Sequence, residues 1–93
     1  MTIQSFACSE TENLFSTGST IKFTAIQRQA EKKLTMLDAA KDLKDLKSPP
    51  GNKLHPLTGD RSGQHSIRIN DQYRICFIWT SAGPEKVEIT DYH

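Results

Sequence analysis

The fold is decided by the stretch QHSIRINDQYRICFIWT, residues 64–80, in which apolar and polar side chains alternate. Alternation over four to eight residues predicts a half-buried β-strand. The stretch contains two such runs, 64–69 and 73–80, joined by a polar Asn-Asp-Gln cluster that is typical of a hairpin turn. A further alternating run at 86–90 follows a second turn at 81–84. The sequence therefore predicts three consecutive antiparallel strands.

The register of the first hairpin follows from its apolar residues. A three-residue turn over 70–72 places Ile67 opposite Ile75 on one face and Arg68 opposite Arg74 on the other. A two-residue turn would split the apolar set, so the three-residue turn is predicted. Two arginines directly across a ladder repel each other. An anion held over the pair explains the arrangement, and phosphate is a suitable anion because arginine can donate two hydrogen bonds to it. The alternative explanation is that both arginines are solvated surface residues near the tip of the hairpin.

Helical patterns occupy the first half of the chain. Residues 10–16 predict a short helix that ends at Gly18. Thr24 and Gln27 have the spacing of a capping box, which predicts the start of a long helix. Apolar residues at three- and four-residue spacing then continue to Leu46, and the Pro-Pro-Gly that follows must end the helix.

Helices followed by an antiparallel sheet define an α+β fold, here two N-terminal helices packed on a small, mainly antiparallel sheet. A chain of 93 residues has room for one domain, so residues 1–93 are predicted to form a single domain. Residues 3–6 are predicted to add a short strand. Residues 49–63, rich in Pro and Gly, are predicted to form a loop, and a loop this long in a small domain is often functional.

Composition and charge exclude several function classes. The longest apolar run, 75–79, is far shorter than the roughly 20 residues that cross a bilayer, and the N-terminus lacks the pattern of a secretion signal. Two distant cysteines do not make a disulfide framework, so a cytoplasmic protein without a membrane partner is predicted. The net charge is +1, but residues 21–61 contain nine Lys and Arg against five Asp and Glu. This basic middle suits a polyanion, and it also fits a solvated helix face.

The candidate catalytic side chains lie in the loop and at the end of the chain. His55 precedes a proline in the loop, and His93 is the last residue, beside Asp91 and Tyr92. Two histidines that titrate near neutral pH, next to an arginine pair, fit RNA cleavage without a metal, which needs a base, an acid and positive charge. His65 lies within a strand and is predicted to be structural. Because no glycine-rich phosphate loop and no zinc-ligand spacing occur, neither cofactor nor metal is predicted.

The loop also carries a family resemblance. Its sequence KLHPLTGDRSG, residues 53–63, resembles the central signature of HigB toxins, also called plasmid maintenance killer proteins, in the RelE/ParE superfamily. Further matches lie at Ile3-Gln4-Ser5-Phe6, Ser66-Ile67-Arg68, Asn70, Arg74-Ile75, Phe77 and the terminal Asp91-Tyr92-His93. The resemblance extends over essentially the whole chain.

The resemblance implies a RelE-like, microbial-ribonuclease-type fold and the toxin of a type II toxin–antitoxin system. Such a toxin is an endoribonuclease that cleaves messenger RNA in the ribosomal A site, through attack by a ribose 2′-hydroxyl. Its implied partner is a HigA-like helix-turn-helix antitoxin, through which the complex binds operator DNA. By position, the implied catalytic residues are His55, Arg74, Asp91, Tyr92 and His93, and the implied RNA-binding residues are Lys53, Arg61 and Arg68. Some relatives have lysine where this chain has Thr58. If that lysine binds phosphate, its absence would lower the phosphate affinity or the cleavage rate of this chain.

Two other functions stay open at this point. ParE-like relatives share the fold but inhibit DNA gyrase without catalysis, and they would not need His55 or the terminal Tyr92-His93. A simple RNA-binding module would use Arg68, Arg74 and the basic helix. Such modules stack bases on exposed aromatic rings, and few are expected here.

Overall fold

The computed structural model describes residues 2–91, in which two N-terminal helices precede a four-stranded antiparallel sheet. The α-helices are α1, Ser9–Thr17, and α2, Gln27–Ala39. The strands are β1, His55–Pro56, β2, His65–Arg68, β3, Tyr73–Thr80, and β4, Gly83–Asp91. Four short 3₁₀ helices complete the elements: η1, Thr24–Ile26, η2, Leu43–Lys47, η3, Pro50–Asn52, and η4, Gly59–Arg61. The predicted α+β fold is confirmed.

The predicted register of the central hairpin is also confirmed. Ile67 pairs with Ile75 and Arg68 with Arg74 across β2 and β3, and the strands follow the order β1-β2-β3-β4. The two isoleucines are fully buried and belong to the core. Leu34 of α2 belongs to the same core, so one face of the sheet packs on the helices and the arginine-bearing face points away from them.

Residues 3–6 do not form the predicted strand. Phe6 makes a single parallel bridge to Val87 of β4, and the adjacent backbone runs along that edge. Further along the edge, the buried hydroxyl of Thr11 accepts the backbone N–H of Ile89 at 3.0 Å. These contacts cover the outer edge of β4, so its backbone groups are satisfied without another strand.

The capping box predicted at the start of the long helix is wrong. The hydroxyl of Thr24 donates to the carbonyls of Thr20 and Ile21, and the amide of Gln27 donates to the carbonyl of Gly18. No side chain caps η1 or the start of α2. Tertiary bonds to the preceding turn replace the expected capping box, while Gly18 ends α1 in the left-handed conformation as predicted.

The predicted length of that helix is also wrong. α2 ends at Ala39, Ala40 is extended, and the chain restarts as the 3₁₀ helix η2. A capping box provides the physical reason: Asp42 and Asp45 satisfy each other's backbone N–H groups and so begin a new helix. Leu46 is still buried, so the apolar stripe is real but belongs to two helices.

The predicted loop over 49–63 contains a fourth strand. His55 pairs with Ser66 and Pro56 with His65, which adds β1 to the open edge of β2. The 3₁₀ helices η3 and η4 flank this strand. His55 is therefore held at a sheet edge instead of on a free loop. No helix within residues 2–91 is both long and apolar enough to span a membrane.

Candidate active site

A pocket of about 190 Å³ lies on the sheet face that points away from the helices. Its lining residues come from three neighbouring strands and the segment before β1: Lys53, His55, Ser66, Arg68 and Arg74. Four of these five were predicted from the sequence as site residues. The strand alternation explains the grouping, because paired residues of an antiparallel sheet share a face.

The arginine pair supplies the positive charge of this pocket. Arg68 and Arg74 face each other across β2 and β3, and both side chains are half-buried. The guanidinium of Arg68 makes an ion pair with Asp71, whose side chain is 95% exposed. An exposed ion pair contributes little stability, so a phosphate oxygen can replace the Asp71 carboxylate at Arg68 at small cost.

A hydrogen bond to the backbone indicates the tautomer of the neutral His55 ring. Its Nδ1 lies 3.0 Å from the carbonyl oxygen of Lys53. A carbonyl can only accept, so the neutral ring carries its proton on Nδ1 and leaves the Nε2 lone pair free. The ring is exposed. His55 can therefore accept a proton at Nε2 and release it again.

Asn52 and Lys33, which the sequence did not single out, hold this segment in place. Asn52 is fully buried; its amide donates to the carbonyls of Leu46, at 3.1 Å, and Ser48, at 3.3 Å, and its oxygen accepts from Lys33 of α2. Lys53 follows in the left-handed conformation, with φ of 48°. Asn52 thereby ties the pocket-lining segment to α2 and η2. The only sequence signal was the turn propensity of Pro-Gly-Asn, which does not reveal the partners.

Lys33 brings further positive charge close to the pocket. Burial lowers the pKa of its ammonium group, and the positive charges of Lys32 and Arg68 lower it further. The ammonium group of Lys33 donates to Asn52, the residue before the pocket-lining Lys53.

Arg61 and Asp91 do not line the pocket. Arg61 donates to Glu88 of β4 at 2.7 Å and to Gln64, and the hydrogen bond to Glu88 raises the pKa of Arg61. Asp91 is exposed and accepts from Gln72 at 2.9 Å. It pairs with Tyr73, the neighbour of Arg74 on β3, and so lies on the opposite face of the sheet. Tyr92 and His93 lie outside the described residues, and their catalytic roles stay predictions.

Another depression on residues 2–91, at the β1 edge, shares the predicted residue His55 with this pocket. A larger, shallower depression of about 680 Å³ lies over the start of α2 and contains none of the predicted site residues. Within residues 2–91, no group of three His, Cys, Asp or Glu side chains lies close enough to hold a metal ion. Metal independence stays a prediction that concerns the reaction itself.

The fold and the pocket together define a small α+β protein with a basic pocket and an exposed histidine at its edge. The family model described as "RelE-like toxin of type II toxin-antitoxin system HigB" matches residues 4–93. The chain belongs to this HigB-like toxin family.

Curated relatives match shorter stretches. The chain is 45% identical over 56 residues to a protein named Toxin HigB-1 of Vibrio cholerae, which is 60% of this chain and 59% of the relative. It is 42% identical over 41 residues to a protein named Endoribonuclease HigB of Proteus vulgaris, which is 44% of this chain and 45% of the relative. An uncharacterized protein of Haemophilus influenzae is 41% identical over 46 residues, which is 50% of this chain and 46% of the relative. The matches thus span about half the length of these relatives.

Proposed function

We propose that this chain is a metal-independent endoribonuclease that cleaves messenger RNA on the translating ribosome. The observation that carries the proposal is the pocket in which Arg68 and Arg74 face each other while Lys53 and His55 line its edge. The name of one relative, Endoribonuclease HigB, supports the reaction class. Three cations in one small pocket fit a phosphodiester.

The proposed reaction uses the RNA's own nucleophile. Nε2 of His55 takes the proton from a ribose 2′-hydroxyl, and the 2′-oxygen forms a bond to the adjacent phosphorus. The bond from phosphorus to the 5′-oxygen breaks, and that oxygen receives a proton. The products are a 2′,3′-cyclic phosphate and a 5′-hydroxyl end. A positioned base contributes about 10²–10⁴-fold to such a step.

The positive charges stabilise the transition state. Negative charge accumulates on the non-bridging oxygens as the 2′-oxygen attacks, and guanidinium groups can donate two hydrogen bonds to such an anion. Arg74 is proposed to hold the scissile phosphate, with Arg68 and Lys53 beside it. Arg61 makes an ion pair with Glu88 and does not line the pocket. Its proposed contact with RNA therefore lies outside the pocket.

The proton donor is proposed to be Tyr92 or His93, and Asp91, which lies on the face of the sheet opposite the pocket, is proposed to act only through its negative charge. The chemistry supports this assignment: His55 is committed as the base, and the 5′-oxygen needs an acid that can lose a proton near neutral pH. The carboxylate of Asp91 can hold a neighbouring imidazolium in its charged form.

The proposed partners follow from the family. The family description refers to a type II toxin–antitoxin system, which supports a protein antitoxin as the partner. This antitoxin is proposed to be a HigA-like helix-turn-helix protein that inhibits the toxin. The toxin–antitoxin complex is proposed to bind operator DNA through the antitoxin. The ribosomal A site is proposed as the place of cleavage. A cytoplasmic location is proposed because both the message and the ribosome are found there.

The test is cleavage of a message on purified translating ribosomes, detected by primer extension. Wild-type protein is expected to cut, and Arg74→Ala to lose about 10²–10³-fold in single-turnover rate, by analogy with removing one oxyanion donor. Arg28→Ala is the matched control, since Arg28 is exposed on α2 and outside the pocket. An intact message together with inhibited DNA gyrase would overturn the proposal in favour of a ParE-like inhibitor.

A further inference from the structure

A second basic groove of about 300 Å³ adjoins the candidate active site at the β1 edge of the sheet. Its lining residues are Leu43, Lys44, Lys47, Leu54, His55, Pro56 and His65, so it contains two lysines and two histidines and no acidic residue. His55 lines both this groove and the arginine pocket. A polymer that occupies the pocket can therefore continue past His55 into the groove.

The two lysines owe their placement to the break after α2. A 3₁₀ helix has three residues per turn, so Lys44 and Lys47 of η2 lie on one side, about 6 Å apart along its axis. Both are exposed, and neither makes an ion pair with the described residues. The nearby Asp45 carboxylate accepts the backbone N–H groups of Asp42 and Lys41, which are the main cause of its lowered pKa, and the positive charges of Lys44 and Lys41 lower that pKa further. Like charges so aligned repel each other until an anion binds.

His65 adds a hydrogen-bond donor to the groove. Its ring stacks on Phe77, with centroids 6.3 Å apart, and its buried Nδ1 has no hydrogen-bond partner among residues 2–91. A buried N–H without an acceptor is costly, so the neutral ring favours the proton on Nε2. The ring is half-buried, which leaves Nε2–H as the group that can meet an anion in the groove.

We propose that this groove binds a second phosphodiester of the RNA chain, flanking the phosphate held by Arg68 and Arg74. The ligand chemistry is an RNA backbone phosphate, held by Lys44, Lys47 and the Nε2–H of His65. The apolar residues Leu43, Leu54 and Pro56 form the remaining walls, and they can pack against a ribose or base. The inference rests on the proposed function and assigns a longer stretch of substrate to the same site.

The experiment measures binding of fluorescent 2′-O-methyl oligoribonucleotides, which lack the 2′-hydroxyl nucleophile, by fluorescence anisotropy over a range of salt concentrations. A dinucleotide has a single phosphodiester and fills only the arginine pocket, whereas a nonanucleotide also reaches the groove. The Lys44→Gln/Lys47→Gln double variant is compared with Lys22→Gln/Lys32→Gln, which removes two exposed lysines outside both sites.

The expected result is a selective loss on the longer strand. Each phosphate neutralised on single-stranded RNA contributes about 0.7 to the slope of log affinity against log salt, so loss of the one phosphate in the groove lowers the slope by about 0.7, or roughly 5-fold in affinity at 0.1 M salt relative to 1 M. Dinucleotide binding stays unchanged, and the control variant binds both strands as wild type does. The affinity of a single-stranded nonanucleotide is compared with that of a hairpin nonanucleotide. Tighter binding of the single strand indicates a message as the source of the phosphate, and tighter binding of the hairpin indicates a folded RNA.

Equal binding of the nonanucleotide by wild type and the double variant overturns the inference, as does equal loss in the control variant. So does wild-type protein that gains no affinity from the longer strand. Binding of a poly-glutamate peptide is measured in the same way. If the double variant loses binding of this peptide while its RNA binding is unchanged, the inference is overturned in favour of an acidic protein partner. Cleavage of message on ribosomes by wild-type protein tests the proposed function separately, so the two failures are distinguishable.

Discussion

Replacing Asn52 with alanine is expected to weaken both the fold and the candidate active site. The buried amide donates to the carbonyls of Leu46 and Ser48, and its oxygen accepts from Lys33. A neutral hydrogen bond contributes about 0.5–1.5 kcal/mol and one to a charged group about 1.5–3 kcal/mol. Lys33 is only partly buried and regains water in the variant, which discounts its share. The expected loss in the free energy of unfolding is therefore about 2–4 kcal/mol.

This loss leaves a folded protein in which the site can be assayed. Small domains unfold with about 5–15 kcal/mol, and one kcal/mol shifts the melting temperature of a domain this size by about 4–8 °C. In the cold the variant is folded, but Lys53 and His55 are no longer tied to α2. A displacement near 1 Å at a catalytic group can lower the rate about 10²-fold. We expect message cleavage to fall by about 10- to 100-fold at saturating toxin.

The assay combines urea unfolding with single-turnover cleavage on ribosomes at low temperature. Asn52→Asp separates the two halves of the contact, because a carboxylate still accepts from Lys33 but cannot donate to the two carbonyls, and so should not restore stability. Asn13→Ala is the matched control, since Asn13 is exposed on α1, and surface changes of this kind stay within about 0.5 kcal/mol. A loss below about 0.5 kcal/mol in Asn52→Ala, with wild-type cleavage, would refute the reasoning.

Three further predictions follow from single contacts. Thr11→Val removes the buried acceptor of the Ile89 N–H and should lower the free energy of unfolding by about 1–3 kcal/mol; urea unfolding that matches wild type contradicts this. Deleting His93 should abolish growth arrest on expression with an unchanged circular dichroism spectrum, since the core cluster formed within residues 2–91 is left intact; full-rate message cleavage by the truncated protein would contradict its role. Asp45 has a lowered pKa because it accepts two backbone N–H groups at the start of η2. Its contribution to stability is therefore present above the unfolded-state pKa of Asp and is lost as pH falls through the lower folded-state value. Asp45→Asn should be less stable than wild type at neutral pH and equal to it in acid. A difference in stability that persists in acid counts against this prediction.

The sheet could be predicted from the sequence because its signals are local. The period-two alternation and the Asn-Asp-Gln turn fixed the pairing of Ile67 with Ile75, and with it the positions of Arg68 and Arg74. His55 was predicted as a catalytic candidate from its place before a proline in the loop, and the structure shows that its ring is exposed. β1 was missed, because a strand of two residues that contains proline has no periodicity to detect.

The helix break and the anchoring contacts could not be predicted in the same way. Apolar residues at three-residue spacing fit a 3₁₀ helix as well as an α-helix, so the stripe through Leu46 did not show that α2 ends at Ala39. The partners of Asn52 and of Arg61 are 19 and 27 residues away in sequence, at Lys33 and Glu88. Such contacts depend on tertiary packing, which no local pattern contains.

The break after α2 connects the two halves of the proposed RNA site. Pro50 stands four residues ahead of Leu46 and has no N–H, so no helix could satisfy the carbonyl of Leu46 from that position. That carbonyl is therefore available to Asn52, whose bond holds Lys53 and His55 at the arginine pocket. The break, begun by the Asp42 capping box, places η2 so that its lysines line the groove on the other side of His55. The short segment from Asp42 to Asn52 thus accounts for the placement of cations on both sides of the proposed catalytic histidine.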